Sequence, residues 1–141
     1  MKIYYGVNLL ASFVQGKSLG GDLAKIKDEI LPQFGEVIEW FGTGEVEDMR
    51  EIYNYDRGCV EKSDVMIAEV SNPSHGVGME IMYAITLGKP LVAIAHADAH
   101  VSRMVQGIDY ERFVFMRYED FADLEVKLGE SFQKLGLEPK K

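Results

Sequence analysis

Two rhythms alternate along the 141-residue chain. Short apolar runs of strand length fall at Lys2–Val7, Val37–Phe41, Val65–Val70, Leu91–Ala95 and Phe113–Met116. Between them, apolar residues recur three and four apart, the period of a helix packed on one face. Asp22–Phe34 carries Leu23, Ile26 and Ile30. Glu47–Ser63 carries Met49, Ile52, Tyr53 and Val60. A third helix runs from about Val77 to Leu87, and Asp120–Leu135 closes the chain with Phe121, Leu124, Val126, Leu128 and Phe132 as its apolar residues. Asp22 suits an N-cap, Gly35 a position just past a helix end, and Gly88-Lys89-Pro90 a stop. His96–Gly107 reads as a loop with a short helix.

Strands that alternate with helices imply a parallel sheet covered on both faces. Right-handed crossovers then give a three-layer, flavodoxin-like and Rossmann-like α/β fold with five strands in the order 2-1-3-4-5. No linker, repeat or low-complexity stretch divides the chain, so residues 1–141 are expected to form one domain. In this topology ligands meet the loops where strand order reverses, here after Val7 and after Val70. Those loops hold Asn8 and the turn from Pro73 to Gly78.

Composition narrows the classes. A net charge of −8 argues against a nucleic-acid surface, which needs a basic footprint, but leaves room for a single nucleotide in a pocket. Cys59 is the only cysteine, so no internal disulfide is possible, and a reducing, cytoplasmic setting is expected. No signal peptide is expected from this sequence, and it holds no apolar run of membrane-spanning length.

Two carboxylates interrupt apolar stripes. Glu80 falls among Val77, Ile81 and Ala84, on a face that should meet the sheet. A charge there costs free energy unless it is paired or does chemistry. It is also a first-turn glutamate of the kind the helix dipole favours. Asp56 interrupts the stripe Met49, Ile52, Tyr53, Val60. It sits about two helical turns, roughly 11 Å, before the chain enters the strand at Asp64, and that strand climbs about 20 Å back. Asp56 can therefore face Glu80 across one cleft, an arrangement suited to acid, base or nucleophilic work at a sugar carbon. The alternative pairs Asp56 with Lys62 or a tyrosine hydroxyl.

The strongest local pattern is Ala68-Glu69-Val70, then Pro73-Ser74, Gly76-Val77-Gly78 and Glu80. With Ile3-Tyr4-Tyr5, Asp56 ahead of Ser63-Asp64-Val65, and Gly88-Lys89-Pro90, it resembles the nucleoside 2-deoxyribosyltransferase superfamily. Within that superfamily it is most similar to the 2′-deoxynucleoside 5′-monophosphate N-glycosidases. The resemblance runs from Ile3 to about Gly107. It implies a hydrolase that cleaves the N-glycosidic bond of a (deoxy)nucleoside 5′-monophosphate or nucleoside. Glu80 would be the nucleophile, Tyr4 its orienting partner, and Asp56 the group that holds sugar hydroxyls or helps protonate the departing base. Ser74 and the backbone of Gly76 and Gly78 would bind the phosphate or 5′ end. Ser102 matches a serine that reaches a neighbouring subunit's ligand, which implies a homodimer with shared sites. No cofactor, metal, membrane or nucleic-acid partner is implied. The chain departs from the pattern where a glycine, a serine and a phosphate-binding arginine are usual: it has Val7, Asn8 and Leu10. Phe41 replaces a histidine after the second strand. Asn8 and Phe41 become candidates for substrate contact, and Lys17 or Arg103 for the missing cation.

Two other readings stay open: a deoxyribosyltransferase, with a base as acceptor, and a nucleotide-binding protein without catalysis. The chain also carries weaker motifs. Ala11–Ser18 fits a loose phosphate-loop pattern, but Leu19-Gly20-Gly21 is a poor helix start after it. His96, Asp98 and His100 share a spacing that suits a metal only if the segment is extended. Glu69 is expected to pair locally. Ser102 would otherwise cap a short helix, and Trp40 and Phe41 would stack on a base or pack in the core.

Overall fold

The computed structural model describes residues 1–8, 19–39 and 47–139. The elements run β1 (Lys2–Gly6), α1 (Leu19–Lys25), β2 (Glu36–Val37), α2 (Met49–Lys62), β3 (Val65–Glu69), α3 (His75–Thr86), β4 (Leu91–His96), α4 (Arg103–Gln106), β5 (Phe113–Tyr118) and α5 (Phe121–Lys134). All strand pairs are parallel and their order is β2-β1-β3-β4-β5, as the alternation predicts. Among the described residues no helix is long and apolar enough to cross a membrane.

Period-two alternation sorts the sheet into two cores. Ile3, Tyr5, Val65, Ile67, Val92 and Ile94 face one side, where they meet Ile26, Ile30, Leu128 and Phe132. Tyr4, Met66, Ala68, Leu91, Ala93 and Ala95 face the other, against Val60 of α2 and Val77, Ile81 and Ala84 of α3. Half of the strand residues named on the second face, Ala68, Ala93 and Ala95, are alanines, so less side-chain volume separates its helices from the sheet there.

Several boundaries differ from the expected ones. The first helix begins at Leu19, so Asp22 lies inside its first turn and is not the N-cap. Past Lys25 the coil widens through Ile26–Ile30 and then tightens through Leu31–Gln33. Pro32 has no N–H to continue an α-ladder, which accounts for the change. β2 is only two residues long. α3 begins at His75, two residues earlier than expected, because Ser74 caps it by accepting the Val77 N–H at 3.3 Å. The Gly-Lys-Pro stop is structural. Gly88 takes a positive φ of 71°, which glycine adopts without strain. Lys89 Nζ donates to the carbonyls of Glu61 at 2.8 Å and Ser63 at 2.6 Å, closing the end of α2.

Candidate active site

Tyr4 and Tyr5 are adjacent on β1, so their rings leave opposite faces of the sheet. Tyr4, 3% exposed, points toward α2 and α3. Glu80 comes down from α3 to meet it, and Asp56 approaches from α2. The Tyr4 hydroxyl contacts the Glu80 carboxylate and opposes the upward drift of its pKa. Glu80 Oε2 is buried and has no hydrogen-bond partner among the described residues. Burial first, and then the charge of Asp56, push the Glu80 carboxyl up to about 7 despite Tyr4. Burial also raises Asp56. Burial, Glu80 and Asp56 together hold the Tyr4 hydroxyl protonated far beyond its usual range. The three groups predicted to converge do so. Asp56 makes no ion pair with Lys62 and no hydrogen bond to a tyrosine among the described residues.

A cleft of about 710 Å³ opens between α2 and α3 and is lined by Asp56, Glu80, Gly76, Tyr53, Arg57 and Met79, among others. Gly6, at the end of β1, sets how closely the chain approaches Glu80. A Cβ there would stand 3.0 Å from Glu80 Oε2 and 2.8 Å from Met66 Cε. Sequence reading missed Gly6. Its signal was a glycine ending a strand beside the ligand loop. It also missed Tyr53 and Arg57 as lining groups. The Arg57 guanidinium lies 4.9 Å from the centre of the Tyr83 ring and 5.5 Å from that of Tyr53.

The remaining predicted ligands fall elsewhere. Ser74, Gly78 and Ser102 line a second groove of about 600 Å³ on the other flank of α3, together with His100 and Met104. Helix geometry explains the division. Gly76 and Glu80 are four apart and share one flank, as do Ser74 and Gly78, but the two pairs are two residues, about 200°, out of phase. Ser102, from the loop after β4, shares a groove with Ser74 and not with Glu80. It also caps α4, accepting the Met104 N–H at 3.2 Å. Asn8 is half-buried and donates its amide to the Pro73 carbonyl at 2.6 Å, which ties the end of β1 to the β3–α3 loop. Phe41, with Trp40, Lys17 and the Ala11–Ser18 motif, lies outside the described residues. His96 Nδ1 accepts the Asp98 N–H at 3.4 Å, within a turn after β4.

No family model matches the chain. A 2′-deoxynucleoside 5′-phosphate N-hydrolase 1 from Syntrophotalea carbinolica is 31% identical over 149 aligned positions, covering 99% of this chain and 100% of that protein. One of the same name from Thermofilum pendens is 42% identical over 81 residues, which span 56% of this chain and 57% of that one. The 5-hydroxymethyl-dUMP N-hydrolase of Rattus norvegicus is 30% identical over 115 residues, 73% of this chain and 70% of the relative. Among solved structures, the CMP N-glycosidase BcmB of Clostridium botulinum superposes with a TM-score of 0.69 over 92% of this chain and 98% of its own, at 14% identity, which is a likeness of fold.

Proposed function

Because this chain belongs to the 2′-deoxynucleoside 5′-phosphate N-hydrolase family, we propose that it hydrolyses the N-glycosidic bond of a (deoxy)nucleoside 5′-monophosphate or nucleoside through Glu80. The observation that carries this reading is the Glu80 carboxylate. It is driven into a cleft, one oxygen is left without a hydrogen-bond partner among the described residues, and Tyr4 and Asp56 stand beside it. A carboxylate kept short of partners is a stronger nucleophile than a solvated one and is pre-positioned for a reaction that needs its lone pair.

In the first step Glu80 attacks the anomeric carbon, the bond to the base breaks, and its electron pair leaves with the base. Asp56, whose burial favours the protonated form, gives the base its proton. The sugar is then held as a glycosyl ester on Glu80. In the second step water attacks the same carbon. Its hydroxyl stays on the sugar, its proton returns to Asp56, and Glu80 is freed as a carboxylate. Tyr4 keeps Glu80 aimed through both steps. Transfer to an acceptor base is the same chemistry with the base in place of water.

The second subunit enters through the groove that holds Ser74 and Ser102. Met79 and Met82 on α3 are 58% and 52% exposed, and Met104 on α4 is 80% exposed. This apolar surface borders both clefts and suits an apolar, self-complementary two-fold contact. Across such a contact Ser102 completes the partner's site.

Two experiments test the proposal. The chain is incubated with nucleosides, deoxynucleosides and their 5′-monophosphates, with and without a second base, and followed by chromatography. Free base and free sugar phosphate without an acceptor are expected; no base release from any of them overturns the reading. Separately, Glu80→Ala chains are mixed with Ser102→Trp chains. Shared sites regain activity above both parents, and proven subunit exchange without rescue rules sharing out.

A further inference from the structure

Glu69 ends β3 on the sheet face opposite Glu80 and is 3% exposed. Its two oxygens serve two different donors. Oε1 accepts the Ser71 N–H at 2.5 Å, and Oε2 accepts the Tyr118 hydroxyl at 2.7 Å. Ser71 Oγ accepts the His96 N–H at 2.8 Å. The loop that follows is fastened again at Pro73, by the Asn8 amide, and at Ser74, which caps α3. Where α3 starts is therefore set by this loop, and Glu80 lies less than two turns further on. The pocket side of the loop is open to a ligand, so its anchor has to come from behind the sheet. Glu69 is the buried group that supplies it.

We propose that Glu69 is a positioning residue for Glu80, holding the β3–α3 loop through Ser71 against β5 through Tyr118. This rests on the reading of Glu80 as nucleophile. A carboxylate suits the task because each of its oxygens accepts separately, with good geometry to a backbone N–H and a phenol. A glutamine keeps the acceptor for Ser71 and can donate to a turned Tyr118 hydroxyl, so it preserves the link. Burial raises the Glu69 carboxyl, while Ser71 and Tyr118 hold it down. The other titratable groups around it are Tyr5 on β1, His96 on β4 and, beyond Tyr118, Asp22 on α1.

The test compares Glu69→Ala with Glu69→Gln in the full chain by two readouts. One is base release, separated into kcat and KM. The other is the titration midpoint of the Glu80 carboxyl by carbon NMR, with the signal assigned by its loss in Glu80→Gln. Tyr4, Asp56 and Cys59 are the groups near Glu80 that enter this titration. In folded Glu69→Ala, kcat falls on the order of 10–100-fold, as loss of positioning does. The Glu80 midpoint drops from about 7 toward 4.5 as the loosened loop admits water. Glu69→Gln restores both. An unchanged midpoint and kcat in folded Glu69→Ala overturns the proposal, and so does an equal loss in both variants. If Glu69→Ala does not fold, Tyr118→Phe removes one donor and keeps the ring. It shifts the midpoint the same way by less, and no shift overturns the idea. Should the wild-type chain release no base at all, the functional reading falls, while the Glu80 titration still decides this one.

Discussion

Two glutamates stand one on each face of the same sheet and are treated in opposite ways: Glu69 is buried at the carboxyl end of β3, and Glu80 is half-buried in the second turn of α3. Glu69 is met by a backbone N–H and a tyrosine hydroxyl, one for each oxygen. Glu80 keeps a buried oxygen with no hydrogen-bond partner among the described residues and has a second carboxylate nearby. Even the tyrosines are divided, Tyr4 toward Glu80 and Tyr5 toward Glu69. Burying a charge is costly on either face. Where partners offset that cost the carboxylate organises structure; where they are withheld it keeps its lone pair for a substrate. The packing agrees with the division. The Glu69 face is filled by Ile, Leu, Val and Phe, whereas alanines on the Glu80 face leave room for a cleft.

The sharpest way to break this comparison is to make the same exchange at both sites. Glu80→Gln keeps the shape and removes the attacking charge, and base release should fall ~10³-fold or more, on the order of 4 kcal/mol of barrier. Glu69→Gln should stay within about threefold of wild type, since its hydrogen bonds survive the exchange. Steady-state kinetics on the two purified variants measure both. Equal losses would mean that the difference in partners does not divide structure from chemistry.

A smaller effect comes from crowding one site alone. Gly6→Ala puts a methyl group 3.0 Å from Glu80 Oε2 and 2.8 Å from Met66 Cε. The methionine end can swing away, but the carboxylate has to move. Activity should drop roughly 10–100-fold, with about 1–2 kcal/mol lost from stability. Unchanged kinetics would show that Glu80 is held less tightly than its contacts imply.

Much of this was legible in the chain. Strand order follows from alternation and crossover handedness, and Asp56 and Glu80 from charges that interrupt apolar stripes, whereas Tyr4 enters only through the family resemblance. Three things were not. The apolar period begins at Val77, but α3 starts two residues earlier, at His75, where the Ser74 cap outweighs the poor helix propensity of the two glycines. Glu69 was expected to pair locally, which its bond to Ser71 bears out, but its other partner, Tyr118, lies 49 residues away and is brought close only by the β4–β5 pairing. The division of Ser74 and Gly78 from Gly76 and Glu80 was present in the four-residue spacing. It becomes visible only once the helix is known to begin at His75 and to expose both flanks.

Neighbouring tyrosines allow a finer comparison. Tyr4→Phe removes the hydroxyl that orients Glu80, and kcat should fall about 10–100-fold with little change in melting. Tyr5→Phe alters the Glu69 side and should leave kcat within about twofold, with a stability cost of about 1 kcal/mol. Kinetics and thermal melts on the pair separate the two. A Tyr5→Phe loss as large as that of Tyr4→Phe would place both rings in one functional unit.

The smallest expected effect is on stability against pH, and its sign is fixed by the direction of the Glu80 shift. In the unfolded chain this carboxyl titrates near 4.5, and in the fold near 7. Between those values the folded chain keeps a proton that the unfolded chain has released, so unfolding frees a proton and rising pH favours it. Wild-type stability from this group is therefore full below about pH 4.5, declines toward pH 7 and is flat above. The whole shift corresponds to about 3 kcal/mol, and partial access of water to the carboxyl reduces it to roughly 1–2 kcal/mol. Glu80→Gln has no proton to lose, so it should be more stable than wild type at pH 8, with the gap closing by pH 5. Paired thermal melts across that range, read as the difference between the two chains, cancel the titration of Glu69 on the other sheet face and leave that of Glu80 with its coupled neighbour Asp56. A difference that does not vary with pH would mean that Glu80 ionises as freely in the fold as outside it, and the contrast between the two glutamates would lose its physical basis.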